Sequence, residues 1–193
     1  MRKLISTLLC LLICVVAFAQ TAGTQHLTFK GIPIDGSPVA FGNKLKAAGM
    51  TFDYEYNGSD WYKGSFAGYS NCNICVKYSQ NKVYEVVVLF PECFSWATLN
   101  NDYLSFKNLL TTKYGEPYAN EEKFENTPSY RNINDDNDKF AEVKNSHCVY
   151  YANFYTDTGG IILEIKNGIP RVGIHYIDYA NSTAKEAAAL NDL

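Results

Sequence analysis

Six cysteines, three histidines and one run of carboxylates are the residues of this 193-residue chain whose chemistry could be put to use. Cys72 and Cys75 have the C-x-x-C spacing of redox pairs and zinc sites. A redox pair of this kind normally opens a helix, where the dipole and free amides stabilise a thiolate. Here it lies in NCNICVKYS, whose alternation predicts a strand. Cys72, Ile74, Val76 and Tyr78 fall on one face; Asn73, Cys75, Lys77 and Ser79 fall on the other. Strand residues three apart point to opposite sides of a sheet, so these two sulfurs share neither a bond nor a metal ion. No second pair with the spacing of zinc ligands follows it in the chain.

The histidines are His26, His147 and His175. His175, in RVGIHYIDY, alternates with the apolar positions Val172, Ile174 and Tyr176, which places it outward beside Arg171. His147 adjoins Cys148, but strand neighbours point apart, which spoils a nucleophile–base hydrogen bond. The chain has no G-x-S-x-G elbow, no H-E-x-x-H and no phosphate loop. The acidic run Asn134–Asp138 lacks the alternating oxygen ligands and turn glycine of a calcium loop, and reads as solvated loop. No catalytic, cofactor-binding or metal-ligating residue is assigned, and the expectation is a protein that is not an enzyme and carries no cofactor.

The compartment follows from residues 1–19. Arg2 and Lys3 precede an apolar run from Leu4 to Val16, and Ala17-Phe18-Ala19 is a small-x-small cleavage pattern, so Gln20 is the expected first mature residue. The run is too short for a membrane span, which needs about 20 apolar residues, and no membrane anchor is expected after cleavage. Export to the periplasm or the exterior is the expectation. Loss of Arg2 and Lys3 leaves fifteen basic against twenty acidic residues, a net charge of about −5. That charge disfavours nucleic acid, which is bound mainly through Lys and Arg.

In an oxidising compartment the remaining Cys72, Cys75, Cys93 and Cys148 raise the prospect of a disulfide. If the hairpin at 80–82 pairs Tyr78 with Lys82 or Val83, Cys72 comes close to Phe90, a short turn from Cys93. A Cys72–Cys93 bond is one outcome; free buried thiols are the other.

The elements repeat. Ser37 is an N-cap, Pro38 occupies the first helical position and Gly49 stops the helix, with Phe41, Leu45 and Ala48 on one face. Strands are predicted at 52–56, 61–67, 72–79 and 83–90. A second helix runs from Ser95 to Tyr114 with Trp96, Leu99, Tyr103, Phe106 and Leu110 as its apolar stripe, ended by Gly115 and Pro117. Strands at 148–155, 160–166 and 171–179 follow. The order predicts an α+β fold of tandem helix-plus-antiparallel-sheet units at 20–94 and 95–180, with helices packed on one face of the sheet. Residues 116–146 form a polar insertion without clear period, and 181–193 a short surface helix.

The string GIPIDGS, Phe41-x-x-x-Leu45 with Gly49, and the Trp96 helix ending Lys113-Tyr114-Gly115-Glu116-Pro117 resemble small exported Gram-negative proteins of unknown function. The helix-then-sheet repetition resembles the fold of the β-lactamase inhibitor protein and of small lipoproteins of outer-membrane assembly. That resemblance implies a protein-binding role. The lipoprotein cysteine is missing, and no functional residue of those families can be matched.

Two sheet faces are then distinguished. Ile74, Val76, Tyr78, Val86, Val88, Ile161, Leu163, Ile165, Val172, Ile174 and Tyr176 form the face that helices cover. The opposite face mixes aromatic and polar groups, which suits contact. Its expected binding residues are Trp61, Lys63, Lys77, Tyr151, Tyr155, Arg171 and His175. An envelope or extracellular protein is the expected partner and a glycan or small ligand the alternative. Scattered carboxylates leave a hydrolase as a third reading.

Overall fold

A computed structural model describes residues 25–125, 133 and 135–191. The expected leader and its expected cleavage site lie outside the described residues. Strands β1 (Thr28–Phe29) and β2 (Ile32–Pro33) form a small hairpin, followed by helix α1 (Pro38–Ala47). The Ser37 hydroxyl accepts from the Ala40 N–H, and Gly49 takes φ +86°, the left-handed turn that a helix stop requires. Strands β3 (Thr51–Tyr56), β4 (Ser59–Phe66), β5 (Tyr69–Ser79) and β6 (Lys82–Leu89) come next.

Helix α2 (Trp96–Tyr114) opens the second half with Ser95 as its cap. Strand β7 (Ala119–Phe124), helix α3 (Asp136–Lys144), strands β8 (Cys148–Thr156), β9 (Gly159–Lys166) and β10 (Arg171–Asp178), and helix α4 (Tyr179–Asn191) follow among the described residues.

Among the described residues eight strands form one antiparallel sheet in the order β3-β4-β5-β6-β10-β9-β8-β7. Each long helix is followed by four strands, and the last strand of each set, β6 and β10, pair at the middle. The fold is α+β. Phe41 and Leu45 of α1, the α2 stripe Trp96, Leu99, Tyr103, Phe106 and Leu110, and Val143 of α3 join the apolar sheet face in one core. Every residue assigned to that face from period-two alternation lies in the core or packs on it. Helix α4 closes the end where β6, β9 and β10 meet.

The segment 116–146 is more regular than its polarity suggested. Strand β7 pairs with β8 from Ala119↔Asn153 to Phe124↔Cys148. An edge strand needs one buried side only, and Phe124 supplies it, 5.3 Å from the Trp96 ring. The carboxylate run is a helix start: Asp135 accepts from the Asn137 and Asp138 N–H groups, and Asp136 and Asp138 sit in the first turn, where the helix dipole favours negative charge. The C-terminal helix also departs from expectation. It begins at Tyr179, and Asn181 is buried, its amide donating to the carbonyls of Ile34 and Val83.

The register that places Cys72 beside Phe90 is present, with Asn73 opposite Leu89 and Tyr78 opposite Val83. The Cys72–Cys93 bond is not formed, and all four described cysteines are buried free thiols. Cys72 donates to the Tyr69 carbonyl at 3.7 Å, whereas Cys93 turns to Asp102 of α2, also at 3.7 Å. Burial raises every one of these thiols, Cys93 to about 11 with Asp102 adding to the effect and Cys148 to about 12, so they stay protonated.

Candidate functional site

The sheet face turned away from α1, α2 and α3 is built by register. One row across it runs Lys63, Asn73, Leu89, Gly173, Glu164 and Tyr151. The next runs Trp61, Cys75, Val87, His175, Ile162 and Asn153, and a third runs Lys77, Glu85, Ile177, Gly160 and Tyr155. The seven residues expected on this face share it; Tyr151 stands alone opposite Glu164, and the other six divide into three groups.

The first group surrounds a cleft of about 410 Å³ bounded by Asp53, Tyr54, Trp61, Lys63, Asn73, Leu89, Lys166, Asn167, Ile169 and Arg171. This volume falls within the range of small-ligand sites. The Tyr54 and Trp61 rings are stacked, 5.8 Å apart and 16° from parallel. Three cations face one carboxylate here, in a chain that is acidic as a whole. Lys63 is tethered to Asp53 at 2.9 Å and Lys166 to Glu164 at 2.7 Å. Arg171 has no carboxylate partner among the described residues. Its Nε and the Trp61 Nε1 are buried donors without an acceptor there.

The second group is a chain of charges at the centre. His175 donates through Nδ1 to Glu85 and through Nε2 to Glu164, each at 2.7 Å. Lys77 holds Glu85 from the far side at 2.9 Å, as Lys166 holds Glu164. Burial opposes the charge on His175, but the two carboxylates outweigh it and raise its pKa. Burial likewise works against the Glu164 carboxylate, yet hydrogen bonds from His175 and Lys166 hold its pKa down at about 2. His175 was expected to face outward; it is on the outward face but clamped, with only 16% of its side chain exposed. Both ring nitrogens are engaged, so neither is free to act as a base on a ligand.

The third group is aromatic. Tyr155, 56% exposed, stacks on Tyr118 at 4.3 Å and meets Tyr179 of α4 edge-on at 6.2 Å. It stands at the opposite end of the strands from the cleft, with Asn153 nearby, whose Oδ1 also lacks a partner among the described residues. Of the four such orphaned buried side-chain atoms, three lie on this face and the fourth, the Tyr103 hydroxyl, lies in the core.

No protein-family model, curated protein or solved structure matches this chain. The geometry alone carries the functional argument. Among the described residues no three His, Cys, Asp or Glu side chains gather as a metal ion would need, and no helix is long and apolar enough to cross a membrane.

Sequence reasoning missed Asp53, Tyr54, Leu89, Lys166, Asn167 and Ile169 of the cleft. Asn167 and Ile169 belong to the β9–β10 turn, and Tyr54 lies beyond a register shift in β3. The usable signal was cross-strand register: once Lys77 is set opposite Glu85, Asn73 and Leu89 must be neighbours.

Proposed function

We propose that this chain is an exported, non-catalytic binding protein of the bacterial envelope, whose contact surface is the sheet face away from α1, α2 and α3. The observation that carries this reading is the cleft on that face, where an aromatic pair and an unpaired guanidinium stand beside buried donors without acceptors. A buried donor left unsatisfied costs about 1–3 kcal/mol, a cost relieved when a partner brings an acceptor. Aromatic and Arg side chains are also the groups that carry most interface energy. The leader-like residues 1–19 support export. A protein of the envelope is the preferred partner. A glycan is the second reading, favoured by the cleft volume and by the Tyr54 and Trp61 rings that line it.

The experiment is a pull-down from envelope extract of the source cells, run beside a glycan array. Native protein is expected to retain a defined protein, and the Tyr151→Ala/Tyr155→Ala/Arg171→Ala variant to lose it while keeping its melting temperature. Retention undiminished in that variant would move the site to another face, and a specific glycan signal without a protein would support the second reading.

A further inference from the structure

We infer that the cleft receives a carboxylate side chain from an acidic segment of the partner polypeptide, with Arg171 as the charge anchor and the Trp61 N–H as a second donor. The inference rests on the proposed binding face and names what that face recognises.

Three observations converge. The cleft gathers Lys63, Lys166 and Arg171 on a chain whose formal net charge is −3. Two of these cations are already neutralised by their own carboxylates, Asp53 and Glu164, and serve as fixed walls. The third is not, and its Nε is buried with its hydrogen-bonding capacity unused. A guanidinium presents Nε and a terminal nitrogen as a planar fork that takes a carboxylate through two parallel bonds. Trp61 lines the same cleft, and its Nε1 is a buried donor that is likewise unused. Indole N–H can only donate. Both orphaned groups therefore ask for an acceptor, and the guanidinium asks for a negative one.

A polypeptide suits this site better than an acidic sugar for two reasons. Tyr54 already stacks against Trp61, so one face of the indole is occupied and closed to a sugar ring. Strand β3, which contributes Asp53 and Tyr54 to the cleft, is an edge of the sheet and among the described residues pairs only with β4. Its outer N–H and C=O groups match the backbone of an extended peptide, the usual means by which a sheet edge adds a strand.

The test uses fluorescence anisotropy of a fluorescein-labelled hexaglutamate peptide on the full chain, with hexaglutamine, oligogalacturonate and sodium sulfate as competitors. Hexaglutamate is expected to bind and hexaglutamine to compete at least about tenfold more weakly, the loss of one charge-assisted contact. Arg171→Gln is expected to weaken hexaglutamate about tenfold or more, and Arg171→Lys to restore only part, because an ammonium lacks the fork. Trp61→Phe keeps the ring and loses the donor, and is expected to weaken binding about three- to tenfold. Each variant's melting temperature is checked against native, and Arg171→Lys, which keeps the aliphatic stem, decides the matter if Arg171→Gln unfolds. The inference is overturned if native protein ignores hexaglutamate, if Arg171 variants bind it unchanged, or if oligogalacturonate or sulfate displaces it with higher affinity. Should hexaglutamate fail while the pull-down still depends on Tyr151, Tyr155 and Arg171, only this inference falls and the binding face stands.

Discussion

His175 lies under opposed demands, and its surroundings show which one wins. Burial penalises its charge, but Glu85 and Glu164 each accept one of its N–H groups, and Lys77 and Lys166 hold those carboxylates in turn. The raised imidazolium stabilises the fold fully below its unfolded value near 6.5 and loses that contribution as pH rises through the native pKa. The lowered carboxylates act in the reverse sense. Their contribution is present above about 4.5 and is lost as pH falls through their native values, which for Glu164 is about 2. The clamp is therefore complete between about pH 5 and 6.5 and weakens on the alkaline side. Thermal melts of native protein and His175→Gln across pH 5 to 9 measure this. The variant should lose about 1.5–3 kcal/mol near pH 5.5, the worth of hydrogen bonds to charged groups, and the gap should close toward pH 9. An equal gap at both ends would mean that the imidazolium is not what the carboxylates hold.

At the scale of elements, α2 fastens the second half of the chain to the sheet. Phe106 packs on Phe90 with ring centroids 4.2 Å apart and also meets Tyr69 at 5.4 Å; Trp96 meets Phe124 and Tyr150, each at 5.3 Å. Phe106→Ala should cost about 3–5 kcal/mol in urea unfolding, the transfer loss plus the cavity. A loss below about 1 kcal/mol would mean that the helix is held by other contacts. This helix was legible because a stripe at three- and four-residue steps admits few other meanings. Seven of the eight strands in the large sheet were legible for the same kind of reason, since alternation separates Val76 from Lys77 wherever the strand is placed. Strand β7 and helix α3 were not. ANEEKF offers one good apolar anchor, and DNDKFAEVK is polar apart from Phe140 and Val143, so tertiary contacts and the Asp135 cap decide both. Membership of the outward face was legible from alternation; the cleft was not, because it depends on the register of six strands and on where the β9–β10 turn lies.

At the scale of the molecule, two helix-plus-four-strand halves share one sheet through β6 and β10, and that continuity decides which surface is left for a partner. The α1, α2 and α3 layer covers one face and exposes mainly polar side chains, with isolated apolar ones such as Val39 and Leu109. Scattered apolar residues of this kind are ordinary on a soluble surface. The other face holds the unpaired Arg171, three of the orphaned polar atoms and the Tyr155 cluster. Buried hydrogen-bonding groups without partners among the described residues concentrate on it. The measurement that tests this most directly is photo-crosslinking in the source cells with benzoylphenylalanine placed one position at a time. Ile169 at the cleft and Tyr155 at the far end sample the sheet face, and Val39 on α1 and Leu109 on α2 sample the helix layer; all four are more than half exposed. The account predicts a discrete protein adduct from Ile169, a weaker one from Tyr155 and none from Val39 or Leu109. A discrete adduct from Leu109 or Val39, with none from Ile169, would contradict it.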